Sequence, residues 1–100
     1  MLKVGIVVRL EAKEGKADDL HAFLMKGLEM ANQETTTPLW FALRLSPTMF
    51  AIFDAFEDEA GRNTHLSGPI AQALMANAAT LLAKTPVIEK VDVLGVKLPK

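Results

Sequence analysis

The chain has two histidines, no cysteine and no tyrosine, so few of its side chains can carry chemistry near neutral pH. His65 is the foremost of them. It stands just before Ser67-Gly68-Pro69, where a helix must break, and an imidazole at such a break can point into a cavity and act as a general base. The alternative is that it only hydrogen-bonds backbone at the junction. Trp40, Ala42 and Arg44 alternate along an apolar segment and would share one strand face, setting an aromatic wall and a fixed cation where a planar acidic or phenolate ligand could be gripped. Tryptophan as core and arginine as an ion-pair partner is the plainer reading of the same pattern. Asn63 either orients a ligand carbonyl or is solvated. The candidate set is His65 as the catalytic group, with Trp40, Arg44 and Asn63 as substrate-binding residues.

Asp54 is unusual because it interrupts a strand face otherwise made of Phe50, Ile52 and Phe56, where an unpaired carboxylate would be costly. Arg9 or Lys90 on neighbouring strands could pair with it, which makes it an interface ion pair rather than a catalytic acid. His21 lies at the edge of a helical stripe and reads as a surface residue. Its distance from His65 in sequence, with no cysteine and no ligand spacing, gives no expectation of a metal site. The six glycines form no phosphate-cradling loop, so no nucleotide cofactor is expected.

The elements that must position these residues follow from periodicity. Val4, Ile6, Val8 and Leu10 alternate with Lys3, Gly5, Val7 and Arg9, which predicts a strand. After Glu14-Gly15-Lys16, the residues Ala17, Leu20, Leu24, Leu28 and Ala31 recur at helical spacing, with Asp18 and Asp19 at the favourable N-terminal end. Thr35-Thr36-Thr37-Pro38 stops that helix and leads to a second strand over 39–45. Ser46-Pro47-Thr48 reverses the chain into a third strand over 49–57, antiparallel to the second. Asp58 opens a short helix through Arg62 and His65. Pro69 starts a longer one with Ile70, Leu74, Ala78, Leu81 and Leu82 inward, and a last strand runs through Val91, Val93 and Val96.

The order β-α-β-β-α-β is the split β-α-β, ferredoxin-like arrangement, an α+β domain over residues 1–100 with both helical layers on one face of a four-stranded antiparallel sheet. The third strand is apolar on both faces, and Ile88, Leu94, Val96 and Leu98 share one parity in the fourth while Val87, Val91 and Val93 share the other. Helices can cover only one side, so a symmetric homodimer is expected to bury the other. A monomer with scattered surface hydrophobes is the alternative.

Half of the residues are hydrophobic and 23% are charged, enough apolar material for one core. The net charge of -1 mixes both signs and argues against nucleic acid or an anionic membrane as partners. The first nine residues are too short and interrupted for a signal peptide or a membrane span. Absence of cysteine suits a reducing compartment, and a cytoplasmic location is expected.

The block Phe50-Ala51-Ile52-Phe53-Asp54-Ala55-Phe56-Glu57-Asp58-Glu59-Ala60, followed by His65-Leu66-Ser67-Gly68-Pro69, resembles the antibiotic biosynthesis monooxygenase domain family. The resemblance extends to the Glu14-Gly15 turn and the Trp40-Phe41 strand. It implies a dimeric α/β barrel, two sheets closing face to face. The family includes cofactor-independent monooxygenases that convert phenols or hydroquinones to quinones, haem-degrading enzymes and isomerases of small signalling molecules. Haem-degrading members use a histidine on the long helix, an asparagine on the first strand and a tryptophan on the short helix. Here Met75, Val8 or Arg9, and His65 fall near those places, so no haem is implied. A quinone-forming member uses tyrosine and tryptophan, and this chain has no tyrosine. The function implied is a cofactor-free monooxygenase of an aromatic or quinol-type small molecule. The alternatives are a non-catalytic binding or stress-response dimer, and an isomerase of a small carbonyl compound.

Overall fold

The computed structural model describes residues 1–99 and consists of one four-stranded antiparallel sheet with three helices. In chain order these are β1 (Val4–Glu11), α1 (Ala17–Gln33), β2 (Leu39–Arg44), β3 (Met49–Phe56), α2 (Glu59–Leu66), α3 (Pro69–Leu81) and β4 (Val87–Asp92). The spatial order is β2-β3-β1-β4, so the expected α+β, ferredoxin-like topology is present. β1 and β3 are central because they are the most apolar strands and can be buried between neighbours.

Register divides the strand residues between two faces. Ile6, Val8 and Leu10 of β1 lie opposite Asp54, Ile52 and Phe50 of β3, which in turn lie opposite Trp40, Ala42 and Arg44 of β2. This is the face the helices cover. Leu20, Leu24 and Ala31 of α1 and Ile70, Leu74 and Leu81 of α3 close over it to make the core. The helix expected to bury Leu28 instead buries Gly27, because the indole of Trp40 lies there: a β-carbon at Gly27 would sit 3.4 Å from the ring. Leu28 is turned to the rim.

Among the described residues no element covers the opposite face. Phe41 and Leu43 of β2, Phe53 of β3, Val7 of β1 and Val87 and Val91 of β4 share it, and Phe41 is half exposed. The rings of Phe41 and Phe53 meet there at 6.5 Å. Its charged pair, Arg9 with Glu89 at 3.8 Å, is exposed.

β4 ends at Asp92, short of the expected Val96. The reason is its single neighbour: β1 begins at Val4, which already faces Asp92, so later residues have no ladder to join. One more bond, Val93 N–H to the Lys3 carbonyl at 2.9 Å, carries the chain past the sheet, and Leu94 is 97% exposed.

α2 is capped by the residue before it and tied to the sheet by an arginine. Asp58 caps it, its carboxylate accepting from Gly61 N–H at 2.8 Å. The buried Arg62 guanidinium donates through Nη1 to the carbonyls of Gly5 and Val91, each at 3.3 Å. Gly5 also marks a close strand approach, since a β-carbon there would come within 2.8 Å of the Asp54 carbonyl oxygen. Gly5→Ala is therefore expected to destabilise the fold by about 1–3 kcal/mol, read as a lowered midpoint in urea unfolding.

Candidate active site

The site is built where α1 ends, β3 passes and α2 closes. Alternation along β3 turns Asp54 toward the helices, where it is 2% exposed. α1 ends at Gln33, and Glu34 follows as its C-cap. A carboxylate at that end opposes the helix dipole, so its placement must be repaid by another contact. That contact is His65, in the last turn of α2 and nearly fully buried.

His65 joins the two acids. Its Nε2 lies 3.0 Å from Asp54 Oδ2 and its Nδ1 lies 2.8 Å from Glu34 Oε1. Thr37 Oγ1 donates to the same Glu34 oxygen at 2.6 Å and stands 3.3 Å from His65 Nδ1. The ring of Phe56 packs beside the imidazole at 5.4 Å. The result is a connected chain: Thr37, Glu34, His65, Asp54.

Two acids facing both ring nitrogens favour an imidazolium, which donates from each. Burial alone would lower the pKa of His65, but hydrogen bonds and charge from Asp54 and Glu34 outweigh it and hold the pKa above its ordinary value. Asp54 is also raised, chiefly by burial, against the lowering effect of His65. The acids lie on opposite sides of the ring and do not converge, and among the described residues no His, Cys, Asp and Glu group could hold a metal ion.

This geometry revises two expectations. Both nitrogens of His65 are held by carboxylates, so neither is free to be the base expected at the helix break. Asp54 pairs with neither Arg9 nor Lys90. Arg9 belongs to the uncovered face and meets Glu89, and Lys90 is exposed on the edge strand. The partner comes from the covering helix instead.

Beside the chain lies a cleft of about 490 Å3, mainly apolar, between the end of α1 and the edge of β2. Ala31, Thr37, Leu39, Trp40 and Phe41 are among its walls, so Thr37 belongs to both cleft and chain. Trp40 is thus brought to the site. Arg44 is not: it lies at the far end of β2, donates to the Pro47 carbonyl at 2.9 Å, stacks over Phe50 at 4.8 Å and lines a separate cavity of about 80 Å3 with His21. Asn63 is on the exposed side of α2, its carbonyl accepting from the Ser67 hydroxyl at 3.1 Å. Glu34 and Thr37 were not expected from sequence, although an acid at a helix C-terminus was a signal.

Because the folded pKa of His65 is raised, its stabilisation is complete below the ordinary value of 6.5 and is lost as pH rises through the folded value. Asp54 also binds its proton more tightly when folded, and acts in the same direction from 3.8 upward. The melting temperature should fall as pH rises above 6.5, and His65→Gln should flatten that limb, as scanning calorimetry across pH would measure.

No protein-family model and no curated protein matches the sequence. Solved structures do. A protein of unknown function from Nitrosomonas europaea, NE2512, is 56% identical, with the match covering 100% of this chain and 97% of that one at a TM-score of 0.96. Rv0793 from Mycobacterium tuberculosis is 14% identical over 94% of this chain and 97% of its own, with a TM-score of 0.82. A structure described as an antibiotic biosynthesis monooxygenase is 13% identical over 92% of this chain and 99% of that one, with a TM-score of 0.78. One from Caulobacter crescentus bears the same description provisionally, at 16% identity, 94% and 92% coverage and a TM-score of 0.79. The chain belongs to the family of the Nitrosomonas europaea protein NE2512, and its fold is that of the antibiotic biosynthesis monooxygenases.

Proposed function

We propose that the protein is a cofactor-independent monooxygenase acting on a planar phenol- or quinol-type compound, and that residues 1–100 work as one domain in a cytoplasmic homodimer. The observation that supports this reading is the buried Thr37–Glu34–His65–Asp54 chain next to an apolar cleft walled by Trp40. Oxygenation without a metal or flavin needs a base and a water-poor site, because the deprotonated substrate itself supplies the electrons.

In the proposed reaction the hydroxyl proton passes to a carboxylate of the chain. The phenolate transfers one electron to dioxygen, and the resulting phenoxyl radical and superoxide combine to form a carbon–oxygen bond. Uptake of a proton gives the ring hydroperoxide. Its O–O bond then breaks as the ring C–H proton is lost, leaving a second carbonyl and releasing water. One atom of dioxygen enters the quinone and the other leaves as water. His65 serves as a positioning residue that stabilises the accepting carboxylate. Glu34, nearer the surface, offers the proton a way out.

An oxygen electrode with a panel of phenols and naphthols that carry hydrogen para to the hydroxyl, with hydrogen peroxide assayed alongside and none expected, tests the reaction. One dioxygen consumed per substrate is expected, and His65→Ala should lower the rate by about a hundredfold or more. No uptake across the panel would reject it. The tying of both imidazole nitrogens favours a second reading, a binding protein without chemistry, which would hold the same compounds and consume no oxygen.

The homodimer rests on the uncovered apolar face around Phe41, Leu43 and Phe53. Stable pairs bury roughly 800 Å2 on each partner, which a four-stranded sheet face can supply. Light scattering at micromolar concentration should give twice the chain mass, and Leu43→Asp should reduce it to one.

A further inference from the structure

Two polar atoms at adjacent positions of the buried sheet face lack any hydrogen-bond partner: Trp40 Nε1 and Asp54 Oδ1. A third orphan, Arg62 Nε, belongs to a guanidinium already engaged through its other nitrogens. Trp40 and Asp54 are register partners on β2 and β3, which sets their β-carbons about 5 Å apart on the same face. Both side chains are more than nine-tenths buried, and an orphaned buried polar atom calls for an occupant. Trp40 is also a wall of the cleft.

The two atoms are chemically complementary. Indole nitrogen can only donate, and the carboxylate oxygen accepts. A group that satisfies both must accept from the indole and donate to the carboxylate, and a hydroxyl does both through one atom. An ether can accept but not donate. A carboxylate would face Asp54 as a like charge. Among the described residues His65 holds the other oxygen, Oδ2, and Oδ1 accepts no hydrogen bond, so Oδ1 is the open end of the chain from Thr37.

We propose that Trp40 Nε1 and Asp54 Oδ1 together grip a single ligand hydroxyl, making the site selective for neutral hydroxyl-bearing aromatics over their ethers and carboxylates. This rests on reading the Trp40 cleft as the ligand site. It assigns the accepting atom, Asp54 Oδ1, and gives Trp40 the task of donating to the oxygen left behind as the proton departs. A hydroxyl-binding pair of this kind discriminates strongly, because the analogue without the hydroxyl leaves buried groups unpaired.

The chain has a single tryptophan, so its indole N–H resonance reports this pair alone. Naphthol, methoxynaphthalene and naphthoate are titrated into indole-labelled protein under argon, with affinities measured by calorimetry. Naphthol should move the indole resonance and bind at least about tenfold more tightly than the ether, with naphthoate weakest. Trp40→Phe, which keeps an aromatic wall, should reduce the preference for naphthol over the ether to about threefold or less. Equal affinity of naphthol and ether would overturn the proposal, as would an unmoved indole resonance, which leaves a buried water as the occupant. No turnover is measured under argon. Selective binding of naphthol with no oxygen uptake in air would therefore reject the oxygenase while upholding the pair.

Discussion

The structure turns on a carboxylate buried in the middle of an apolar strand. Asp54 occupies a central strand, faces the core and is shut off from water, a position in which an isolated charge would be too costly to keep. Only a counter-ion with good geometry makes it tolerable, and His65 is that counter-ion. The need reaches further, because one imidazole nitrogen remains to be satisfied and takes Glu34, which in turn holds Thr37. A sheet strand, the end of α1 and the end of α2 are thereby pinned at one point. Removing one partner from such a buried group costs about 3–5 kcal/mol, a large part of the stability of a domain this size.

An apolar set of similar volume would hold the same elements together at no loss of stability, so packing alone does not account for the ionic choice. What the ions add is a titratable group with direction. The imidazolium is held between two acids that are unlike in burial: Asp54 is enclosed, whereas Glu34 keeps part of its side chain at the surface. Proton exchange with water is easier at the Glu34 end than at the enclosed Asp54 end. Burial raises the affinity of Asp54 for a proton, which is the change a general base requires when its substrate is a weak acid.

Much of the fold was legible because it depends on local pattern. Alternation in 4–10 and 49–56, helical spacing from Ala17 to Ala31 and the break at Ser67-Gly68-Pro69 each specify an element without reference to its neighbours. The end of β4 was not legible, since Val93 and Val96 alternate as well as Val91 does and stop pairing only because β1 supplies no further partner. The site divides in the same way. That Asp54 needed a partner followed from its strand, but neighbouring strands were the wrong place to seek one; the partner arrives over the face of the sheet, from a helix placed by tertiary packing. Trp40 and Arg44 do share a face, yet four residues of strand place them roughly 13 Å apart, which parity alone does not convey. Glu34 and Thr37 lie in a connection between elements, where no periodicity marks a side chain as inward.

The uncovered sheet face and the cleft are physically continuous at the edge of β2. Trp40 points to the helices, while Leu39 and Phe41 point to the open side, and all three line the same cleft. The edge strand therefore lends one residue of one parity and two of the other to a single hollow, with Leu98 of the C-terminal segment beside them. Whatever covers the open face also adds to the outer wall of that hollow and excludes water from it. Burial of Phe41 and closure of the hollow would then be one event, and the apolar face that a lone domain least readily exposes would also be the surface through which association completes the pocket.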